Sequence, residues 1–181
     1  MLTLAPAELE GIRRHAVEEY PRESCGVILA RAGARRLLRC RNIQDELHAK
    51  DPVRHPRDAR TAYFIDPRDL LQIGRLESEG FSVAVIFHSH VDAGAYFSPT
   101  DRQQALLGGE PMYPEATWVV TSVVVGRVEA MAAFRWSPAA GDFVAVDLTP
   151  GTSAWHARAA MAAGRAWQWL DHFVSRGKRV P

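Results

Sequence analysis

His88-Ser89-His90, followed by Ser98 and Asp101 and preceded about sixty residues earlier by Glu23, is the set of residues whose types and spacing can do chemistry. Residues 83–87 (Val-Ala-Val-Ile-Phe) form an apolar, β-branched run, which predicts a buried strand ending in His88 and His90. Alternate residues on a strand share a face, so both imidazoles can reach one metal ion. An oxygen from Asp101, on a following helix, brings the protein ligands to three and leaves a fourth position for water. Zinc in such a site lowers the pKa of that water from about 15.7 to roughly 7. A carboxylate must still move the protons. Glu23 stands at the mouth of another expected core strand, Gly26-Val27-Ile28-Leu29-Ala30, and its expected role is general base, then general acid.

The elements that must position these residues read as a mixed α/β chain. Leu9, Ile12, Ala16 and Tyr20 fall at helical spacing after Pro6, predicting an amphipathic helix over 6–20. Strands are expected near 26–31 and 35–43. Ala62-Tyr63-Phe64-Ile65 is a further apolar stretch, and Asp66-Pro67-Arg68-Asp69 after it is a helix start, with the helix ending at Gly80. Beyond the metal strand, a helix begins at Ser98, and residues 117–125 and 127–136 read as strands turning near Gly126. Residues 142–148 complete the sheet. Ser98-Pro99-Thr100-Asp101 would serve equally as a plain helix start: serine cap, proline at the first position, acid at the third. The combination with two histidines and Glu23 is what gives it a chemical reading.

At Glu23, His88, His90, Ser98 and Asp101 the chain resembles the JAMM (MPN-plus) metallopeptidase family. That pattern is an upstream Glu, then His-x-His-Pro, six residues, and Ser-x-x-Asp. Glu23-Ser24-Cys25-Gly26 is similar to the Glu-x-Cys-Gly opening of prokaryotic members, while Val91 stands where the family has Pro, which frees a φ angle after His90. The resemblance covers roughly residues 5–148. It implies an α/β fold of the α+β type: a curved mixed β-sheet flanked by helices, in the cytidine-deaminase-like MPN architecture. It also implies that His88, His90 and Asp101 bind Zn2+, that Glu23 activates water, and that the Ser98 hydroxyl helps hold the oxyanion. The implied substrate is a peptide or isopeptide bond at the Gly-Gly-type C-terminal tail of a ubiquitin-like or sulfur-carrier protein. Isopeptide, linear and single-residue cleavage all stay open.

Composition sets looser bounds. With 181 residues and 47% hydrophobic content, the chain is long enough for one sizeable core, and residues 1–150 are expected to form it. A net charge of +1 gives no reason to expect nucleic acid or an anionic membrane. No apolar run reaches the eighteen or so residues of a membrane span, and Glu8 and Glu10 do not fit a signal peptide, so a cytoplasmic protein is expected. Cys25 and Cys40 form no Cys-x-x-Cys pair, which argues against a disulfide framework and against a nucleobase deaminase. His15, His48, His55, His156 and His172 are expected on helix surfaces or in loops, with no catalytic part.

Residues 44–60 are polar, proline-punctuated and read as a long loop. Arg54, Arg57 and Arg60 could meet carboxylates of an extended substrate, and the strand at Tyr63, Phe64 and Ile65 could add main-chain bonds to it. Residues 151–181 form a C-terminal extension in which Trp155, Ala159, Ala162, Ala166, Trp169 and Phe173 predict a long helix, packed on its own domain or pairing two copies. Two rival functions remain. Cys25 could be the nucleophile of a cysteine hydrolase with His88 or His90 as base. Alternatively, the fold could be a non-catalytic partner-binding scaffold with a structural metal.

Overall fold

The computed structural model describes residues 1–150. The elements run β1 (Leu2–Leu4), α1 (Pro6–Glu19), β2 (Cys25–Arg31), β3 (Ala34–Cys40), α2 (Gln44–Lys50), α3 (Pro67–Ser78), β4 (Ser82–Val91), α4 (Pro99–Ala105), β5 (Leu106–Leu107), β6 (Glu110–Pro111), β7 (Thr117–Val124), β8 (Arg127–Ser137), β9 (Asp142–Val146) and β10 (Leu148–Pro150). Six strands form one mixed sheet in the order β3-β2-β4-β7-β8-β9, in which only β4 and β7 run parallel. The strand carrying His88 and His90 is therefore central, bonded to β2 on one edge and β7 on the other.

Each face of the sheet has its own core because side chains alternate along the strands. Ile28, Val85, Phe87 and Val119 point to one side, where Leu9 and Ile12 of α1 cover them. Val27, Leu29, Ile86 and Trp118 point to the other, against Ile73 and Leu76 of α3. His88 and His90 share that second face with Ile86, so the histidine pair extends a core row at the strand's C-terminal end.

Gly26 explains part of the Glu-x-Cys-Gly opening in steric terms. It lies opposite Phe87 across the β2–β4 ladder, and a Cβ placed on it would come within 2.3 Å of both the Phe87 ring and the Leu38 carbonyl oxygen. The backbone oxygen cannot yield as a flexible side chain could. Gly26→Ala is expected to cost about 3 kcal/mol, or roughly 10 °C in Tm. An unchanged thermal melt would contradict this account of the glycine.

Several expectations change. Residues 44–60 are not one loop, because α2 occupies their first seven positions. This helix has no apolar stripe; Asp45 and Glu46 in its first turn and His48 and Lys50 in its last suit the helix dipole instead. The helix in turn anchors the loop that leads from it toward Ala62. Gln44 Nε2 donates to the Arg57 carbonyl (2.7 Å), Ala59 N donates to Asp45 Oδ1 (2.7 Å), and His48 Nδ1 meets the His55 carbonyl (2.7 Å).

Residues 62–65 make only a bridge, Asn42 to Ile65, and no full strand. The final stretch splits at residue 147: β9 edges the large sheet, whereas β10 pairs in parallel with β1. His15 is buried inside α1 and not on its surface, with Nε2 3.1 Å and 3.3 Å from the carbonyls of Cys25 and Cys40. The predicted C-terminal helix and the self-association assigned to it lie outside the described residues.

Candidate metal centre

Three elements bring the site together. β4 supplies His88 and His90, both buried. The segment entering β2 supplies Glu23, fixed by three main-chain ties: Glu23 N donates to Ala59 O (2.7 Å), Asn42 Nδ2 donates to Glu23 O (2.9 Å), and the adjacent Ser24 N donates to Ser89 Oγ (2.8 Å). Ser89 N donates back to Ser24 O (3.0 Å). The serine between the two histidines thus sets the distance from the metal strand to the acid. Asn42 and Ser89 were not singled out in the sequence; an alternating residue between two ligands was the available signal for Ser89.

The third element, α4, supplies Asp101. Ser98 Oγ accepts from Asp101 N (3.1 Å), and Asp101 Oδ2 accepts from Ser98 N (2.7 Å), a reciprocal capping box. The same carboxylate reaches His88 Nε2 through Oδ1 (3.2 Å) and His90 Nε2 through Oδ2 (3.3 Å). The helix start and the approach of the carboxylate to the two histidines are therefore one arrangement, since capping turns the carboxylate inward.

His88 Nε2 and His90 Nε2 lie 3.3 Å apart, completing a triangle with Asp101. Ligand atoms about 2.0–2.1 Å from a tetrahedral zinc ion are about 3.3 Å from one another, so the triangle has the size of one tetrahedral face. His90 Nδ1 lies 2.9 Å from the Gly94 carbonyl, the contact that puts the proton on Nδ1 and leaves the Nε2 lone pair facing the centre. His88 Nδ1 is buried without a hydrogen-bond partner among the described residues, and Tyr63 fixes that ring by stacking at 4.9 Å. These residues can hold a metal ion.

The electrostatics agree with that use. Burial pulls His88 below its ordinary value against the hydrogen bond to Asp101, so neutral imidazole is favoured. Burial opposes the Asp101 charge, but the two histidines outweigh it and hold the carboxyl well below the usual range. Glu23 is the opposite case: burial first, and the Asp101 charge second, push it up to about 9 against a smaller pull from Arg57. Its carboxyl faces the pocket shared with His90, Ser98, Asp101 and Tyr63.

The remaining site expectations divide. Arg57 and Arg60 line the metal pocket; Arg54 does not. Tyr63 lines both this pocket and an adjoining apolar groove, while Phe64 lines the groove alone. The loop after His90 is tied despite Val91: Asp92 N donates to Val123 O (2.7 Å), Ser122 Oγ donates to Ala93 O (2.6 Å), and Asp92 takes Val125 N and Arg60. Cys25 is fully buried, its thiol aimed at the Cys40 carbonyl (3.8 Å), and burial raises it well above the ordinary thiol range. It stays a thiol with no access to the pocket, which removes the basis of the cysteine-hydrolase reading.

Fold and site together define a class: a mixed sheet whose central strand carries a His-x-His pair, closed by an aspartate at a helix start beside a buried glutamate. The model of the prokaryotic homologs of the JAB domain matches residues 6–137, and the chain belongs to this family, the prokaryotic side of the JAMM/MPN proteins.

A probable TtuB-protein conjugate cleaving protease of Thermus thermophilus is 33% identical over 119 residues, covering 65% of this chain and 65% of that protein. Tail tip assembly protein K of Escherichia phage N15 is 33% identical over 96 residues, 53% of this chain and 33% of the phage protein. The chain thus spans about a third of one of these relatives and just under two thirds of the other. Among solved structures, a protein of Salinibacter ruber matches with TM-score 0.53 at 27% identity, covering 85% of this chain and 94% of its own. A protein of Desulfitobacterium hafniense matches with TM-score 0.60 at 18% identity, covering 86% and 97%, and shares the fold. Among the described residues no helix is long and apolar enough to cross a membrane.

Proposed function

We propose that the protein is a zinc-dependent hydrolase that cleaves a peptide or isopeptide bond at the C-terminal tail of a ubiquitin-like or sulfur-carrier protein. The observation that carries this reading is the convergence of His88, His90 and Asp101 on one point, with Glu23 in the same pocket. The Thermus relative, named for cleaving TtuB-protein conjugates, supports the substrate class.

Zinc held by the three ligands would supply Lewis acidity toward the scissile carbonyl and acidify a water. Glu23 takes the proton of the attacking water and returns it to the departing nitrogen; burial raises its pKa to about 9, so a bound cation would have to bring it down for Glu23 to act as base at neutral pH. Ser98 Oγ accepts from Asp101 N, so its own proton remains to donate to the oxyanion.

The acyl side of the substrate fits the apolar groove of about 290 Å³ lined by Phe64, Ile65, Ile73, Val83, Met112 and Trp118, among others. Phe64 O and Asp66 N are bonded to Ile43 N and Arg41 O, which leaves the alternate main-chain groups of Tyr63 and Ile65 on the other edge for a tail. The scaffold reading is weaker, because a structural zinc has four protein ligands and the described residues offer three.

Elemental mass spectrometry of the purified protein tests the core of the proposal. About one zinc per chain is expected, lost in His88→Ala, together with release of a Gly-Gly-tailed carrier protein from a linear or lysine-linked conjugate. Wild-type protein that takes up no zinc even after reconstitution would leave the scaffold as the better account.

A further inference from the structure

The metal pocket and the apolar groove meet at Tyr63 and Gln104, which line both. Beyond this junction their chemistry differs. The groove is lined by no charged side chain. The metal pocket has Glu23, Arg57 and Arg60 along its wall. The arginines expected beside the substrate tail are thus absent from the groove that would hold it. They stand on the side where Glu23 acts.

The two guanidinium groups are not equally committed. Arg60 is paired with Asp92 (2.6 Å), which joins the loop at residues 57–63 to the loop at 91–97 across the pocket. Arg57 donates to the Thr61 carbonyl (3.3 Å) and pulls weakly on Glu23, but it forms no ion pair with a carboxylate among the described residues. Its sequence neighbour Asp58 turns back into its own loop, accepting from Arg60 N (3.1 Å) and Thr61 Oγ1 (3.4 Å). An exposed guanidinium in the same pocket as a buried acid, with no ion pair of its own among the described residues, suits a carboxylate supplied from outside.

The position of Glu23 indicates which part of a substrate brings that carboxylate. Hydrolysis breaks the C–N bond and forms a C–O bond; hydroxyl goes to the carbonyl carbon, the proton goes through Glu23 to the departing nitrogen, and nothing is oxidised. The group bearing that nitrogen therefore lies next to Glu23, on the arginine side. In a C-terminal residue the α-carboxylate carbon is two bonds from this nitrogen. In a lysine isopeptide the same nitrogen is followed by four methylenes and carries no nearby anion. We infer that Arg57, backed by Arg60, binds the free α-carboxylate of the leaving residue, and that this site preferentially removes a short C-terminal extension from the tail. This inference rests on the hydrolase reading above.

The test compares three peptides sharing one blocked Gly-Gly acyl part: joined to alanine as the free acid, joined to alaninamide, and joined to the Nε of a blocked lysine. With zinc-loaded protein, kcat/KM for the acid is expected to exceed both others by about tenfold, the scale of one charge-assisted contact. The ratio of acid to amide should fall toward one in Arg57→Gln.

A second readout needs no turnover. Calorimetry with zinc-loaded Glu23→Gln protein should show the acid binding about tenfold more tightly than the amide, and the gap should close when Arg57→Gln is added. Equal rates for acid and amide, a preference that survives Arg57→Gln with Arg60→Gln, or a faster lysine-linked substrate would each overturn the assignment. If zinc binds but none of the three is cleaved, the hydrolase reading itself fails, an outcome separate from loss of the acid preference.

Discussion

Glu23→Gln is expected to lower kcat/KM by about 10²–10⁴-fold while zinc content stays at the wild-type level, because glutamine keeps the shape of the side chain but cannot take a proton. The same substitution should have an opposite effect on the stability of the metal-free protein. Burial and the Asp101 charge push Glu23 up to about 9, from 4.5 in the unfolded chain. Between those values the unfolded chain releases its proton and the folded chain keeps it, so wild-type stability falls as pH rises through this window. At pH 7 the cost is about 3 kcal/mol. Metal-free Glu23→Gln should then melt above metal-free wild type at neutral pH, by a margin that widens up to about pH 9 and vanishes below 4.5. A catalytic acid held in a costly environment gives this pairing of lost rate and gained stability; a merely structural glutamate would give loss of both. Melts that coincide at every pH would remove the argument from burial.

The part of the fold legible in the sequence was the part written in periodicity. The apolar run from Val83 to Phe87 and the β-branched stretch Thr117–Val124 announced central strands, and Asp66-Pro67 announced α3, whose cap Asp66 accepts from Arg68 N (2.8 Å). Where burial does not set the pattern, the reading failed. α2 has polar residues nearly all round and is held at its start by Asn42, two residues before Gln44, and beyond that by Arg57 and Ala59, which no local rule connects to it.

The site followed the same division. The spacing of His88, His90, Ser98 and Asp101 was sufficient to anticipate that His88, His90 and Asp101 come together, since strand alternation and helix capping are local. The parts played by Ser89, Asn42 and Gly26 were not legible, because they depend on which strand lies alongside. Ser89 matters only once Ser24 is across from it, and Gly26 only once Phe87 fills the space above its Cα. The arginines were singled out for charge, and Arg57 and Arg60 line the pocket of Glu23 while none lines the apolar groove; a chain position cannot say on which side of Tyr63 a loop will fold back.

Asp101→Asn should separate the two tasks of one side chain. Asparagine retains an oxygen to accept from Ser98 N, so the capping box and the start of α4 are expected to survive, with a change in stability of less than about 1 kcal/mol in the metal-free state. What it cannot do is offer two oxygens and a negative charge to His88, His90 and a cation together. Affinity for zinc, followed by competition with a chromogenic chelator, is expected to drop by more than about 100-fold, since even outer groups that only orient a ligand are worth 10–100-fold. Asp101→Ala removes the cap as well and should add a loss of about 1 kcal/mol in the metal-free melt. The difference between the two variants measures the helix cap, and the loss they share measures the ligand. If Asn bound zinc as tightly as Asp while Ala did not, the carboxylate would be acting through the helix it starts, and the metal would rest on the two histidines and a ligand from beyond the triangle of His88, His90 and Asp101.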